Sequence, residues 1–199
     1  PSMGVLTTDY QPARLAASYE RGGAAAISVL THRAGFGGSV DDLDAVRYAT
    51  WLPILRKDFI TEPYQVLEAR AHGADAVLLI VAALTPDSLA DLINVASDHG
   101  VAALVEVHDA EEARMAVEAG AQVIGVNHRD LRTFDVDLRL TERLRPLIPR
   151  DRVLVAESGI KGGADARRMR EAGADAILAG EVLMRATDPA AVIRELRGA

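Results

Sequence analysis

The amino-acid sequence predicts one α/β domain over residues 1–199, built as a (β/α)8 barrel of the TIM type. The main observation is a repeated pattern, in which an amphipathic helix ends at a glycine and a short apolar strand follows. The pattern occurs in segments 19–30, 68–80, 116–126 and 169–179. Glycine readily adopts the left-handed conformation that ends many helices, and short loops join helices to the next strand. Strict alternation of helix and strand predicts a parallel sheet with right-handed crossovers.

Seven strands and eight helices are expected in this alternating order. The strands are expected at roughly 24–30, 52–56, 75–81, 102–107, 123–127, 152–156 and 175–179. The helices are expected at roughly 9–21, 40–49, 63–72, 86–99, 109–119, 137–147, 163–172 and 187–197. Because the first element is a helix, we expect the first barrel strand to lie upstream of Pro1, so that the domain is N-terminally incomplete. An open, doubly wound sheet is the competing prediction, less favoured because no G-x-G-x-x-G turn marks a switch point.

The composition limits the classes of protein and partner. Hydrophobic residues make up 49% of the 199 residues and aromatic residues 4%, so aliphatic side chains are expected to build one large core. The sequence has no cysteine, which excludes disulfides, thiol nucleophiles and thiolate metal sites. No apolar run reaches the ~18 residues of a membrane helix and the net charge is −7, so neither a membrane nor a nucleic acid is an expected partner. We expect a cytoplasmic protein.

Two charged side chains stand at the ends of predicted strands. The apolar run 52–55 ends in Arg56, Lys57 and Asp58. Ligands of parallel α/β sheets bind beyond the carboxyl ends of the strands, which makes Lys57 a candidate active-site residue; alternatively, it caps the strand and points into water. Glu106 interrupts another apolar strand, where a buried carboxylate needs a partner or a raised pKa. A structural ion pair to a neighbouring strand explains Glu106 equally well.

The next strand ends in a further pair of polar side chains. Asn127 can donate and accept hydrogen bonds, and Arg129 is a fixed cation suited to a carboxylate or a phosphate. The alternative for Arg129 is a salt bridge to Asp130 or Asp135. A lysine, a glutamate, an asparagine and an arginine at one rim, together with the phosphate site predicted below at the same rim, favour an acid–base site for a small phosphorylated anion.

The last two predicted strands are each followed by a glycine-containing turn, Ser158-Gly159 and Gly180-Glu181. In barrels, the loops after the last two strands often bind phosphate through backbone N–H groups and a helix N-terminus. The pair of turns therefore predicts a phosphate site.

The five histidines do not have the spacing of metal ligands, and no metal ion is expected. They are His32, His72, His99, His108 and His128. His32 and His128 stand near strand ends, where a solvated loop role is expected for both. Ser158 lacks the G-x-S-x-G elbow of a serine nucleophile.

Eight segments, in order along essentially the whole chain, resemble motifs of the indole-3-glycerol-phosphate synthase family of tryptophan biosynthesis. They are Phe36-Gly-Gly-Ser39, Leu55-Arg-Lys-Asp-Phe59, Pro63-Tyr-Gln65, Ala74-Asp-Ala-Val-Leu-Leu-Ile-Val81, Leu104-Val-Glu-Val-His108, Asn127-His-Arg-Asp-Leu131, Glu157-Ser-Gly159 and Gly180-Glu181. The related phosphoribosylanthranilate isomerase family shares the fold but not these motifs.

The resemblance implies a carboxy-lyase that closes the indole ring of 1-(2-carboxyphenylamino)-1-deoxyribulose 5-phosphate with loss of carbon dioxide and water. By resemblance, Lys57 would be the general acid, Glu106 the general base for dehydration, and Asn127 would orient the intermediate. The remaining substrate contacts implied are Arg129 and Glu157 for polar parts, Phe36, Phe59, Leu78 and Leu131 around the aromatic ring, and Ser158, Gly159, Gly180 and Glu181 around the phosphate. No cofactor and no metal ion are implied.

The sequence departs from the family pattern at its beginning. The family's first strand carries a glutamate and a lysine before a Ser-Pro-Ser turn, of which only Pro1 and Ser2 are present. His32 stands where many relatives carry a glutamate. A second hypothesis is therefore a catalytically incompetent barrel fragment that keeps only a phosphate-binding site. The complete protein is expected to be a monomer, whereas a chain that truly began at Pro1 would expose strand edges and self-associate.

Overall fold

The structure is a computed structural model that describes residues 10–199. Seven strands form one parallel sheet in which each strand pairs with the next along the chain. They are β1 (Ile27–Leu30), β2 (Ile54–Lys57), β3 (Ala76–Ile80), β4 (Ala102–Val107), β5 (Val123–Asn127), β6 (Val153–Glu157) and β7 (Ala176–Leu178). The alternating parallel sheet is confirmed. Between residues 10 and 199 the order has no switch point, so the doubly wound alternative is wrong.

This seven-stranded sheet with its helices is consistent with a TIM barrel that lacks one strand. The strand predicted upstream of Pro1 lies outside the described residues, as do Pro1 and Ser2 themselves.

Ten α-helices connect the strands within the part of the chain that the structure describes. They are α1 (Pro12–Gly22), α2 (Arg33–Phe36), α3 (Val40–Ala49), α4 (Pro63–Ala71), α5 (Pro86–Asp98), α6 (Ala110–Glu118), α7 (Arg139–Leu144), α8 (Gly163–Glu171), α9 (Glu181–Arg185) and α10 (Pro189–Gly198). All eight predicted helices are present. The two that were not predicted, α2 and α9, have four and five residues, too short for a periodic apolar pattern.

The predicted helix at 137–147 is α-helical only as far as Leu144. It continues as a 3₁₀ turn over Arg145–Leu147, because Pro146 has no N–H for the helical hydrogen bond. Another 3₁₀ turn, Val81–Ala83, follows β3.

The glycines of the repeated pattern have the conformation that the sequence predicts. Gly23, Gly73, Gly120 and Gly173 have φ between 82° and 87°. Each of these glycines ends a helix and leads into a strand, which is why the helix–glycine–strand pattern repeats.

Side chains along each strand alternate between the two faces of the sheet, as the period of a β-strand requires. The outward face packs against the helices in one large apolar cluster, which includes Ile54, Val77, Leu79, Val105 and Ile124. The inward face carries a smaller cluster of Leu55, Leu78, Ile80, Leu104 and Val155. Two residues beyond Leu55, Leu104 and Val155, the same inward rows reach Lys57, Glu106 and Glu157. The sheet thus directs three ionisable side chains to one edge.

The first and last helices pack closely against each other. A Cβ atom at Gly22 in α1 would lie 2.9 Å from the Cα of Ala190 and from the Cβ of Ile193, both in α10. Tyr19 in α1 also donates its hydroxyl to the sulfur of Met184, at 3.5 Å. Glycine at position 22 therefore allows a close approach that a side chain would block.

None of the helices in residues 10–199 combines the length and apolar character needed to cross a membrane.

Candidate active site

Polar side chains from four strands meet at the carboxyl edge of the sheet. Lys57, Asn127 and Glu157 are the last residues of β2, β5 and β6, and Glu106 lies one residue before the end of β4. Lys57 Nζ lies 3.3 Å from Glu106 Oε2, and Asn127 Nδ2 donates to Glu106 Oε1 at 3.0 Å. The structure thus brings the three predicted catalytic side chains into contact. The lysine is 22% exposed and points at a carboxylate rather than freely into water.

The Glu106 carboxylate lies at the centre of these contacts. Its side chain is 2% exposed, and His108 Nε2 approaches Oε1 at 3.2 Å in addition to the two contacts above. Lys57 comes from β2, which is separated from β4 by β3. The ion pair therefore crosses the inner face of the sheet and does not join neighbouring strands.

Glu106 and Glu157 have opposite ionisation preferences. Burial opposes the charge on Glu106, but His108, Lys57 and Asn127 outweigh it and lower the pKa of Glu106 to about 2. Glu157 is also buried, and this burial, together with the negative charge of Glu106, raises the pKa of Glu157 to about 8. Two adjacent carboxyl groups without enough cations cannot both be charged, so one keeps its proton. At neutral pH, Glu106 is the anion and Glu157 the neutral acid.

Gly125 provides the space for the neutral acid. A Cβ atom at this position would lie 1.9 Å from Glu157 Oε1. Gly125 stands opposite Glu106 in the pairing of β4 with β5. The absence of a side chain at position 125 therefore leaves room for the carboxyl group of Glu157 beside that of Glu106. We call Lys57, Glu106, His108, Asn127 and Glu157 the acid–base cluster.

Arg129 connects the loop after β5 to the last part of the chain. Its Nη2 lies 3.5 Å from Glu181 Oε2 at the start of α9. Asp130 instead accepts backbone N–H bonds within its own loop. Among the described residues Arg129 therefore forms its ion pair across the mouth, and not with the two aspartates, Asp130 and Asp135, that the sequence suggested.

Three rings form an aromatic cluster beside β2. Phe36 and Phe59 are stacked with centroids 5.6 Å apart and an interplanar angle of 8°. His32 meets Phe59 edge-on at 5.1 Å, and its Nδ1 accepts the N–H of Gly35 at 2.9 Å. His32 therefore begins α2 and supports the two predicted ring-binding phenylalanines. The expected solvated loop role for His32 is wrong, because its imidazole is partly buried in these contacts.

His128 is also not a solvated loop residue. It is 2% exposed, and its ring nitrogens lie 2.9 Å from the carbonyl of Ser158 and 2.7 Å from the hydroxyl of Thr141. A histidine next to a strand end can be buried when the loop folds back over it, and only the three-dimensional structure shows this.

The two leucines predicted at the substrate ring have different surroundings. Leu78 is 1% exposed and belongs to the inward apolar cluster. Leu131 is 46% exposed, in the loop after β5. The structure places Leu131 at the surface and Leu78 in the interior.

The predicted phosphate end consists of Ser158, Gly159, Gly180 and Glu181, which we call the glycine turns. Ser158 and Gly159 both have positive φ, 66° and 77°, and a Cβ at Gly159 would lie 2.3 Å from Val136 Cγ1. Gly180 is the N-cap of α9, and the first N–H groups of a helix have no partner within it. By contrast, the N–H of Gly163 in α8 donates to Glu195 at 2.8 Å.

A buried network behind the lysine was not predicted. Arg56, on the outward side of β2, is 4% exposed. It donates to Thr31 at 3.1 Å and to Asp58 at 3.1 Å, and its Nη1 lies 2.7 Å from Glu68. Thr31 in turn donates to Asp58 at 2.7 Å. The network fixes the strand end that carries Lys57. The sequence does contain an indication of this network. Arg56 and Asp58 flank Lys57, and successive side chains of a strand point to opposite faces, so both charges lie on the face opposite the lysine.

His108 was also missed as a contact of Glu106. The sequence indicates this contact through the two-residue spacing of Glu106 and His108, because residues two apart on a strand share a face.

Within residues 10–199, no group of three or more histidine, aspartate and glutamate side chains is arranged to hold a metal ion.

The family model described as indole-3-glycerol phosphate synthase matches residues 1–196. The chain belongs to the indole-3-glycerol phosphate synthase family. Indole-3-glycerol phosphate synthase 2 of Streptomyces coelicolor is 59% identical over 198 residues, which are 100% of this chain and 77% of the relative. The synthases of Dehalococcoides mccartyi and Rhodococcus opacus are 51% and 54% identical; each alignment covers 98% of this chain, with 77% and 73% of the relative.

Among solved structures, thiamine phosphate pyrophosphorylase from Pyrococcus furiosus superposes with a TM-score of 0.75. The match covers 94% of this chain and 87% of the other, at 22% sequence identity. At this identity it shows a shared fold and nothing about activity.

Membership of the indole-3-glycerol phosphate synthase family confirms the resemblance that the sequence motifs carried. In the structure, motif residues from β2, β4, β5 and β6 meet at the carboxyl edge as the acid–base cluster. Their individual roles in the family's reaction remain predictions.

Proposed function

We propose that this chain catalyses the synthase reaction of its family, a step of tryptophan biosynthesis. The substrate is 1-(2-carboxyphenylamino)-1-deoxyribulose 5-phosphate, and the products are indole-3-glycerol phosphate, carbon dioxide and water. The observation that carries the proposal is the contact between Lys57 and Glu106, 3.3 Å apart at the carboxyl edge of the sheet. It supplies a proton donor and a proton acceptor in one partly buried site, as general acid–base catalysis requires.

Lys57 acts as the general acid in the proposed ring closure. The aromatic carbon that bears the carboxylate attacks the ketose carbonyl carbon, and Lys57 gives its proton to the carbonyl oxygen. The electron pair of the C–C bond to the carboxylate then restores the aromatic ring as carbon dioxide leaves. Lys57 is suited to this role because Glu106 holds its ammonium group at the mouth of the sheet.

Glu106 acts as the general base in the dehydration that follows. It accepts a proton from the intermediate, while the new hydroxyl group takes up a proton from the solvent and leaves as water, which forms the double bond of the five-membered ring. Asn127 donates to Glu106 at 3.0 Å, and it is placed to orient the intermediate against that carboxylate. Glu157 is the neutral acid beside them and donates hydrogen bonds to polar groups of the substrate.

The anthranilate ring lies against the aromatic cluster in this proposal. Phe36 and Phe59 present stacked rings, of which Phe59 is 44% exposed. Exposed aromatic surface at a mouth lined by charges is suited to a flat aromatic ligand. Leu131 covers the ring from the loop after β5, Leu78 lies beneath it, and Arg129 binds a polar part of the substrate.

The phosphate binds at the glycine turns. Two consecutive residues with positive φ, Ser158 and Gly159, turn the backbone after β6, and Gly180 opens α9 after β7. Backbone N–H groups from both turns are the proposed donors. Arg129 and Glu181 already form an ion pair across this end, so an arriving phosphate replaces one carboxylate partner of the arginine with another anion.

The proposed fold of the whole enzyme is a complete (β/α)8 barrel. The additional strand, which is the first barrel strand in chain order, would precede α1. It would pair with β1 and β7, the two edge strands of the described sheet. A barrel closed in this way leaves no exposed edge, which agrees with the proposed monomer.

A fluorescence assay for indole-3-glycerol phosphate tests the proposal on the protein at its full natural length. We expect product from the wild type and a strong loss with Lys57→Ala. A protein that binds inorganic phosphate or the substrate but forms no indole product would instead be the catalytically incompetent barrel.

A further inference from the structure

His108 lies between two carboxylates and outside the set of residues with a proposed role. It directly follows β4 and shares the inward face with Glu106. Its Nε2 is 3.2 Å from Glu106 Oε1, its Nδ1 is 3.0 Å from Glu112 Oε2, and its side chain is 14% exposed. The imidazole thus hydrogen-bonds the carboxylate on α6 through Nδ1 and lies at ion-pair distance, without hydrogen-bond geometry, from the carboxylate at the mouth.

Glu112 fixes both the ring and the main chain of His108. The same Oε2 atom that contacts the ring also accepts the backbone N–H of His108, at 2.7 Å. Glu112 is itself held in the first turn of α6, where Asp109 accepts the N–H groups of Glu111 and Glu112 at 2.9 Å each. The start of α6 is therefore a rigid support for the imidazole.

The charges around the ring favour an imidazolium. The charged or titratable groups that face it are Glu106 on β4, Glu112 on α6, Lys57 on β2, Glu157 on β6 and Asp130 in the loop after β5. Burial by itself lowers the pKa of His108, but the contacts and charges of Glu106 and Glu112 outweigh burial and raise the pKa to about 9.

We propose that His108 is a positioning residue for ring closure and dehydration: clamped by Glu112, its imidazolium fixes Oε1 of Glu106 and leaves Oε2 as the oxygen that exchanges protons. This inference rests on the proposed function. Oε1 is contacted by both Asn127 and His108, whereas Oε2 is contacted by Lys57. When Lys57 gives its proton to the carbonyl oxygen, Oε2 loses its charged partner and becomes the acceptor for the proton removed during dehydration.

The key variant is Glu112→Gln, which keeps an oxygen for the backbone N–H of His108 but removes the charge beside the imidazole. Loss of a neighbouring opposite charge lowers a histidine pKa by about one to three units. We expect the basic limb of the kcat profile to move down in pH by about one unit or more, with KM changed less than about twofold. The ring signal of His108, followed by NMR against pH, should move by the same amount.

The matched control is Glu111→Gln, the same charge change on the same turn of α6. Glu111 is exposed, and its side chain has no contact with the His108 ring among the described residues. We expect neither the kcat profile nor the His108 titration to move.

A second variant, His108→Gln, removes the cation while keeping a polar side chain. We expect a fall in kcat that is smaller than the ~10²–10⁴-fold attributed to a general base itself, with KM nearly unchanged. A kcat equal to that of the wild type would overturn the proposal, as would a Glu112→Gln profile identical to that of Glu111→Gln.

The titration separates this inference from the proposed function. If the wild type forms no indole product, the proposed function fails, and the His108 titration still decides whether a clamped imidazolium exists. A midpoint near 9 in the wild type supports it, and a midpoint at the ordinary value of 6.5 overturns it.

Discussion

The acid–base cluster and the glycine turns lie at the same edge of the sheet but are built in different ways. In the cluster, buried side chains hold one another, and Glu106 alone contacts Lys57, Asn127 and His108. In the glycine turns, the shape comes from the backbone, with positive φ at Ser158 and Gly159. The ion pairs there are longer or more exposed than those around Glu106.

The difference indicates a division of work. Partly buried charges that depend on one another control where protons reside, and they do so because burial strengthens each interaction. At the proposed phosphate site, a turn built from backbone geometry would set where the anion fits, and it carries no titratable proton. Changes in the cluster should therefore act mainly on kcat, and changes in the turns should act mainly on KM.

The largest expected effect is that of Lys57→Ala on kcat. Removing a general acid typically costs ~10²–10⁴-fold in rate, and KM should change little. The sequence offers a control, because Lys161, the other lysine, is exposed and lies just after β6. Lys161→Ala should leave kcat unchanged. If Lys57→Ala raised KM at constant kcat, Lys57 would be a uniform binding residue and the division would fail.

The second effect is that of Gly159→Ala on substrate binding. A side chain at φ 77° that also meets Val136 at 2.3 Å must distort the turn, and such strain costs ~1–3 kcal/mol. We expect KM to rise about tenfold, the equivalent of ~1.4 kcal/mol, with kcat nearly constant. The control is Gly120→Ala, at φ 85° but with open space around it and at the end of α6. It should destabilise the fold without changing KM.

The third effect is a pH dependence of the free energy of unfolding. The pKa of Glu157 is about 8 in the folded protein against an ordinary 4.5. Between these values the folded state keeps a proton that the unfolded chain has released, so stability falls as pH rises, by at most ~1.4 kcal/mol per pH unit from this group. His108, with its raised pKa, adds a fall of the same sign between 6.5 and about 9.

Glu157→Gln should flatten the lower part of this dependence, below 6.5, and leave the part due to His108. Urea unfolding at a series of pH values measures it. A slope that stays unchanged in the variant would show that Glu157 is ionised in the folded protein, like Glu106.

The smallest expected effect is that of Glu181→Gln. Exposed ion pairs contribute up to ~1 kcal/mol, so loss of the contacts to Arg129 and Arg185 should barely change stability. Removing a carboxylate beside the proposed anion site should tighten binding of inorganic phosphate, by no more than about fivefold. The exposed Glu171→Gln is the control for net charge. Weaker phosphate binding in Glu181→Gln would mean that the carboxylate itself supports the site.

The regular part of the fold was predictable from sequence because it depends on local chemistry. Gly73 and Gly120 end helices for a reason visible within a few residues, and the β4 and β5 boundaries were predicted without error. The placement of Lys57 and Glu106 at one edge also follows from local sequence, since parallel strands present their carboxyl ends together.

What the sequence did not reveal depends on contacts between distant segments. The burial of His128 needs the loop that brings Thr141 onto it, and the aromatic contacts of His32 need Phe59 from the next βα unit. In the sequence, Gly125 is only a residue of low strand propensity inside a predicted strand. Only the position of the Glu157 carboxyl shows why glycine is required there.

The close packing of α1 against α10 has a consequence for how the molecule folds. Neighbouring strands in this sheet are also neighbours in sequence, so most of the structure can grow by adding one βα unit at a time. The approach of Gly22 to Ala190 in α10 and the contact of Tyr19 with Met184 in α9, which spans 165 positions, both close a large loop of chain. The entropy of closing such a loop places these contacts late in assembly. The packing that Gly22 allows between α1 and α10 therefore forms in the last step of folding. Gly22→Val should mainly speed unfolding while leaving the folding rate almost unchanged.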